Sequence, residues 1–174
     1  MELEAVIDNV MIKEVNFNGV NYPEFETEGF SAQFIFPLAN KICQGIGYDI
    51  GCARLDWALP DAIPIDLVFD DEWNAFCLPE TLVDYIFSSH CLEHLDDWVG
   101  ALEYWTSKLK QGGNILLYLP HYDQEYWRPW NNRKHKHVLE VASITDALKR
   151  FGIHKIHSSE RDINHSFVVI GEKQ

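Results

Sequence analysis

Short apolar runs alternate with helix-like spacing along most of the chain. Apolar residues fill 115–119, whereas between Trp98 and Leu109 they recur every three or four positions. A continuous run predicts a buried strand, and the wider spacing predicts an amphipathic helix. Strands that alternate with helices over short connections predict a parallel α/β sheet. The predicted strands cover 48–50, 63–67, 83–87, 114–119, 154–158 and 166–171, and the predicted helices cover 31–43, 98–109 and a segment from Ser143 to the residue before Gly152.

The two ends of the chain extend this pattern. Residues 154–158 and 166–171 are joined by a link too short for a helical crossover, so these strands are predicted to pair antiparallel at one edge. Residues 5–20 alternate loosely between apolar and polar, which predicts one or two strands with a turn at Asn18-Gly19. We therefore divide the chain into an N-terminal extension or cap, residues 1–44, and a main domain, residues 45–174.

The charge balance narrows the partners that the chain can bind. It has 174 residues, with 14 Lys and Arg against 27 Asp and Glu, and a net charge of −13. Such acidity repels phosphate backbones and anionic lipid surfaces, so we expect no nucleic-acid partner and no membrane partner. No apolar run is long enough to span a bilayer, and residues 1–4 do not resemble the start of a secretory signal. The cysteines form no CxxC pair and are interpreted as reduced thiols, which predicts a cytoplasmic protein.

Glycine and polar residues follow the predicted strands, where ligands bind in parallel α/β sheets. Gly51 follows the first strand of the main domain, and a glycine at that place lets a ligand approach the backbone. Asp66 ends the next strand, where nucleoside-binding folds hold a ribose diol. Taken singly, the two features are equally compatible with a packing glycine and a solvated aspartate.

Five motifs in a fixed order are more specific than any one of them. They are 49–52 (Asp-Ile-Gly-Cys), 65–66 (Ile-Asp), 74–79, 84–95 with its Leu-Glu-His sequence, and 109–117 with its Gly-Gly turn. This arrangement resembles the class I S-adenosylmethionine (SAM)-dependent methyltransferases, and most of all the subgroup with a Leu-Glu-His motif after the fourth strand. The resemblance covers about residues 45–171. It implies an α/β fold: a Rossmann-like three-layer sandwich with a mostly parallel, seven-stranded-type sheet and an antiparallel closing strand.

The resemblance implies SAM as cofactor and S-adenosylhomocysteine (SAH) as product. At the matching positions, Gly51 with Cys52 and Ala53 would pass under the methionine part of the cofactor. Asp49 would lie near its amino group, and Asp66 would hold the ribose hydroxyls.

The same resemblance assigns the adenine and sulfonium ends of the cofactor. Asn74 would face the adenine, and Leu78 would pack near the base. Ser88, Ser89 and His90 would border the sulfonium and the incoming acceptor.

Two departures from the family pattern concern the turn after the first strand. Ala53 and Leu55 stand where the family usually has further glycines. Alanine is tolerated there if its φ is negative, whereas Leu55 indicates a rebuilt turn. These departures motivate an alternative: a catalytically inactive methyltransferase fold that senses the cofactor or binds a partner. A nicotinamide-dependent oxidoreductase is disfavoured, because the Gly-x-Gly-x-x-Gly turn is absent.

Histidines near the predicted strand ends are the candidate catalytic groups. His90 follows one strand and His121 follows another, and histidine suits proton transfer near neutral pH. We predict both as catalytic residues for methylation of a small polar acceptor on oxygen or nitrogen. Glu93 and His94 are interpreted instead as structural residues of the local turn.

The segment 120–138 is long for a loop and is rich in aromatic and basic residues. Aromatic faces beside Asn and Arg suit a sugar or sugar nucleotide, which is our acceptor hypothesis. The alternative is a lid whose tryptophans pack against the N-terminal segment. His121, His135 and His137 offer metal-ligand chemistry, but the sequence fixes no complete ligand set and the basic neighbourhood opposes a cation, so no metal site is predicted. The assembly is expected to be a monomer or a homodimer.

Overall fold

A computed structural model describes residues 12–131 and 134–174. Its first element is a hairpin of β1 (Glu14–Phe17) and β2 (Val20–Pro23), which pair antiparallel. Asn18 and Gly19 have φ of 51° and 85°, which confirms the predicted turn between them. The part of the strand prediction that falls on residues 5–11 lies outside the described residues, as does Arg133 of the aromatic loop.

The main sheet is mixed and has six strands in the order β4-β3-β5-β6-β8-β7. Neighbours among the first four strands of that order are parallel, and β8 runs antiparallel to both β6 and β7. This arrangement confirms the Rossmann-like class with antiparallel closing strands. The strand bounds are β3 (Gly47–Ile50), β4 (Ile63–Ile65), β5 (Val83–Ser89), β6 (Leu109–Pro120), β7 (Ile153–Ser158) and β8 (Ser166–Lys173).

Helices cover both faces of this sheet and complete the three layers. They are α1 (Glu24–Glu28), α2 (Ala32–Ile42), α3 (Trp98–Ser107) and α4 (Val141–Arg150), with two short 3-10 turns at Leu55–Trp57 and Leu92–His94. On one face α3 and α4 bury Trp105, Ile144 and Leu148 in the larger apolar core. On the other face α2 packs Ile35 and Ala39 against the sheet. Among the described residues, no helix is long and apolar enough to cross a membrane.

The sheet has one strand fewer than the seven-stranded expectation within the described residues. The segment 66–82 between β4 and β5 is made of turns, and its one β-type pairing is the bridge between Asn74 and Cys77. Leu67, Val68 and Phe76 in this segment are exposed, whereas Leu78 is buried in the larger core.

The start of one helix follows tertiary packing rather than a local capping signal. The prediction that Ser143 begins α4 is wrong, because the helix begins at Val141 and its N-cap Glu140 makes no side-chain cap. Val141 packs against the larger core, which extends the helix toward its N-terminus. By contrast, α3 begins with a side-chain cap, because the Asp97 carboxylate accepts a hydrogen bond from Gly100 N.

Candidate functional site

A cavity of about 400 Å³ opens beyond the carboxyl ends of β3, β4 and β5. This is where ligands bind in open α/β sheets, and its volume suits a small organic ligand. The main domain contributes the turn after β3 and the residues after β5. The opposite wall comes from residues 28–32 of the N-terminal segment and from Trp127, Lys134 and His135. Part of the N-terminal segment therefore forms one wall of the cavity.

The turn after β3 is tight and strained, which brings its backbone to the cavity. Gly51 has φ of 84°, and a Cβ there would lie 2.4 Å from Cys91 Sγ, so only glycine fits. Ala53 has φ of 61°, so the condition under which alanine would be tolerated there, a negative φ, is not met. Its backbone N donates to Asp66 Oδ2 at 2.8 Å, and this bond holds the left-handed turn in place.

Asp66 lines the cavity at the end of β4 and fixes the neighbouring backbone. Its Oδ1 accepts a hydrogen bond from Val68 N at 2.9 Å, and its Oδ2 accepts the one from Ala53. Each carboxylate oxygen has a second lone pair, so Asp66 can still accept hydrogen bonds from a ligand's hydroxyl groups.

Asp49 is buried at the back of the cavity. Its Oδ2 accepts a hydrogen bond from Leu59 N at 2.7 Å. Burial raises the pKa of Asp49 to about 7, and the nearby Asp66 charge adds to that effect while the Leu59 bond opposes it. A cation that enters the cavity beside Asp49 would find a carboxyl ready to ionise.

The pKa of Asp49 gives the stability of the protein a specific pH dependence. Because the folded-state pKa of about 7 exceeds the ordinary 3.8, folding retains a proton that the unfolded chain loses. This stabilisation is complete below pH about 4 and is lost as the pH rises toward 7. Relative to Asp49→Asn, we expect the wild-type free energy of unfolding to fall by about 2 kcal/mol from pH 5 to pH 7. Urea unfolding of both proteins at both pH values measures this difference, and parallel pH profiles would contradict it.

Of the predicted cofactor residues, Asp49, Gly51, Cys52, Ala53, Asp66 and Ser89 line the cavity, whereas Asn74, Leu78 and Ser88 do not. The Asn74 side chain accepts a hydrogen bond from Phe76 N and so caps its own turn. Leu78 is in the apolar core, and Ser88 donates to the Ile50 carbonyl inside the sheet. The buried Ser89 hydroxyl has no hydrogen-bond partner among the described residues, so it is available to a ligand.

The two candidate catalytic histidines occupy different places. His90 lines the main cavity with φ of 49°, and its Nε2 lies 2.9 Å from Ser166 Oγ. Burial holds the pKa of His90 well below its usual range, so its ring is neutral. His121 is absent from the cavity lining. It lies in a small adjoining cleft, where its Nδ1 is 2.7 Å from Asp123 Oδ1.

A buried carboxyl that the sequence did not indicate ties the cap to the rest of the protein. Glu26 in α1 accepts hydrogen bonds from the side chains of Ser31, Gln124 (2.7 Å) and Asn164 (2.8 Å). Burial raises the pKa of Glu26 to about 7. One of three glutamates in a five-residue helix carries no sequence signal for such a role, because its three partners lie far apart from one another along the chain.

The aromatic loop packs on the N-terminal segment, which supports its interpretation as a lid. Trp127 Nε1 donates to the Glu26 carbonyl at 2.9 Å, and the Tyr126 ring makes an edge contact with Phe17. Trp130 remains exposed and lies beside the Arg128 guanidinium. Trp127 of the loop and residues 28–32 of the N-terminal segment both line the cavity.

Several solved structures that are similar to this chain are methyltransferases. A SAM-dependent methyltransferase from Archaeoglobus fulgidus has 17% sequence identity and a TM-score of 0.60, with 84% of this chain and 97% of that chain covered. A SAM-dependent methyltransferase of Thermotoga maritima, a possible histamine N-methyltransferase, has 14% identity and a TM-score of 0.62, with coverage of 86% and 92%. The N-methyltransferase NodS from Bradyrhizobium japonicum, solved with SAH, has 15% identity and a TM-score of 0.58, with coverage of 86% and 88%. At these identities the likeness establishes the fold.

The family of this chain is assigned from its sequence. A search of curated proteins gave no match. The family model described as "Methyltransferase domain" matches residues 28–158, which include every strand of the main sheet except β8, together with the whole of the cavity turn and lid. The chain therefore belongs to the methyltransferase domain family.

Proposed function

We propose that the protein transfers a methyl group from SAM to oxygen or nitrogen of a small polar acceptor, with a sugar or sugar nucleotide as the first candidate. One observation carries this proposal: a single cavity has an acidic end at Asp49 and Asp66 and a histidine-rich end at His90, His94 and His135. A cationic donor with a ribose suits the acidic end. An acceptor that must lose a proton suits the other end.

The residues at the acidic end fit SAM. Asp66 has free lone pairs for the ribose hydroxyls, and Asp49 offers a carboxyl to the amino group. The Gly51 turn leaves backbone exposed beside them, and Ser89 brings an unpartnered hydroxyl. Once bound there, SAM supplies a methyl group activated by its sulfonium.

At the histidine-rich end of the cavity, side chains of the protein orient the acceptor and take its proton. Trp127 offers an aromatic face, stacked on His135, and Lys134 brings a cationic side chain to the wall. These groups suit a sugar with an anionic substituent. The Ser166 hydroxyl donates its hydrogen to the Asn164 carbonyl, so it accepts a hydrogen bond from His90 Nε2. His90 Nε2 therefore carries the ring proton, and Nδ1 keeps its lone pair. His90 Nδ1 is therefore the proposed base.

Calorimetric titration with SAM and SAH, followed by an acceptor screen, tests this proposal. We expect micromolar binding of both ligands and SAH formation with at least one sugar or sugar nucleotide. Absence of binding by well-folded protein would contradict the cofactor site. Binding without turnover across sugars, amines and phenols would favour a cofactor-binding module instead. We further propose a cytoplasmic monomer or homodimer that binds neither nucleic acid nor membranes, as its net charge of −13 suggests.

A further inference from the structure

One carboxylate beside the cavity is buried among histidines without a hydrogen bond. Glu93 has no exposed surface, and neither side-chain oxygen has a hydrogen-bond partner among the described residues. Three ring nitrogens surround its Oε1: His90 Nδ1 at 3.7 Å, His135 Nε2 at 3.8 Å and His94 Nε2 at 3.9 Å. A buried carboxyl in this situation is costly unless something binds it.

The distances around Glu93 are too long for hydrogen bonds, which require about 2.7–3.2 Å. They are close to the separation of two ligands that share one metal ion. Ligands at about 2.0–2.2 Å from a tetrahedral zinc lie about 3.4 Å from each other. The ligand atoms of Glu93, His94 and His135 all lie within 4.8 Å of one another. Small movements of these three side chains would bring their ligand atoms onto one ion.

The hydrogen bonds of the histidines leave lone pairs directed at this carboxylate. His94 Nδ1 lies 2.8 Å from the Lys134 carbonyl, which can only accept, so Nδ1 donates and the neutral ring has its lone pair at Nε2. The same reasoning places a lone pair on His90 Nδ1. A cation placed among these lone pairs could be bound by the ring nitrogens and by the Glu93 side chain together. A backbone carbonyl behind a histidine is also the usual support of a metal-bound imidazole.

The remaining groups near the cluster are compatible with a bound cation. His135 is buried, and its ring stacks on Trp127. Lys136 pairs with Asp96 at 2.7 Å, which offsets its charge.

We propose that Glu93, His94 and His135 bind a divalent first-row transition metal, zinc being the first candidate. Two histidines and one carboxylate form a ligand set of open catalytic metal sites. His94 and His135 line the cavity, so a fourth ligand would come from it. That ligand is an oxygen or nitrogen of the acceptor, a part of the proposal that rests on the proposed function. Glu93 and His94, interpreted from the sequence as structural, would then be metal ligands.

The test uses EDTA-treated, dialysed full-length protein titrated with Zn²⁺ by calorimetry and with Co²⁺ by visible absorption. We expect one ion per chain and a cobalt spectrum typical of nitrogen and oxygen ligands. Glu93→Gln keeps the shape of the side chain and should weaken Zn²⁺ binding by at least about 100-fold, more than the loss of a supporting group costs. His94→Ala, at a side chain that is 34% exposed, is the second variant in case the first does not fold.

The matched controls are His154→Ala and His157→Ala, which remove exposed histidines of the edge strand β7 and should leave binding unchanged. Zn²⁺ should also raise the unfolding midpoint of the wild type but not that of Glu93→Gln. Binding that survives in Glu93→Gln and His94→Ala, or no binding by the wild type, would overturn the proposal. SAH titration in EDTA reports the cofactor site separately, so failure of the metal site and failure of the proposed function are distinguishable.

Discussion

His90→Asn is expected to lower kcat by about 100-fold or more, the contribution of a positioned general base, while SAH affinity remains close to that of the wild type. His90 lines the cavity and keeps a lone pair on Nδ1. Its Nδ1 lies 3.9 Å from Glu26 Oε1 and 3.7 Å from Glu93 Oε1. Initial rates at saturating SAM, together with SAH calorimetry, separate the two effects.

The choice of asparagine matters because residue 90 has φ of 49°. Asparagine tolerates this left-handed conformation better than most residues. His165 has φ of 51° and lies outside the cavity lining, so His165→Asn is the matched control for the backbone. An equal fall of kcat in both variants would mean that His90→Asn lowers activity by disturbing the structure and not by removing a base. A strong fall in His121→Asn would instead place the acceptor in the adjoining cleft and restore His121 as a catalytic residue.

The sequence predicted the strands that carry the site because burial leaves a simple pattern. A strand covered on both faces must be apolar throughout, so β6 is visible as a run of apolar residues. The residues that end such strands are then placed at one edge of the sheet by topology alone. This is why Gly51, Asp66 and His90 were predicted correctly to meet at one place, although they are separated along the chain.

What the sequence did not show depends on side-chain directions and on long-range contacts. His135 reaches Glu93 only because the loop after β6 folds back over the Leu92–His94 turn, where Glu93 O accepts from Lys136 N at 2.8 Å. The spacing of residues along the chain therefore does not predict the contact between His135 and Glu93. Asn74 was predicted to face adenine, but its side chain is used within its own turn, a local hydrogen bond that asparagine forms readily. The positive φ of Ala53 likewise follows from its bond to Asp66.

The cofactor site depends most on Asp66, and we expect Asp66→Ala to weaken SAH binding by about 100-fold or more. Two hydrogen bonds from ribose hydroxyls to a charged group contribute about 1.5–3 kcal/mol each, which corresponds to this loss. The substitution also removes the hydrogen bonds that Ala53 N and Val68 N donate to Asp66, and these bonds fix the turn. The loss of SAH affinity would therefore include both the lost ribose contacts and the displacement of the turn.

Asp70→Ala is the control that separates these causes. The Asp70 carboxylate also accepts two backbone hydrogen bonds, from Glu72 N and Trp73 N, but it does not line the cavity. Asp66→Asn adds a second comparison, since it keeps one side-chain oxygen and loses the charge. If SAH affinity falls equally in Asp66→Ala and Asp70→Ala, the effect comes from the loop rather than from the site. If affinity is retained in Asp66→Ala, the ribose lies elsewhere, and the acidic end of the cavity binds some other part of the ligand.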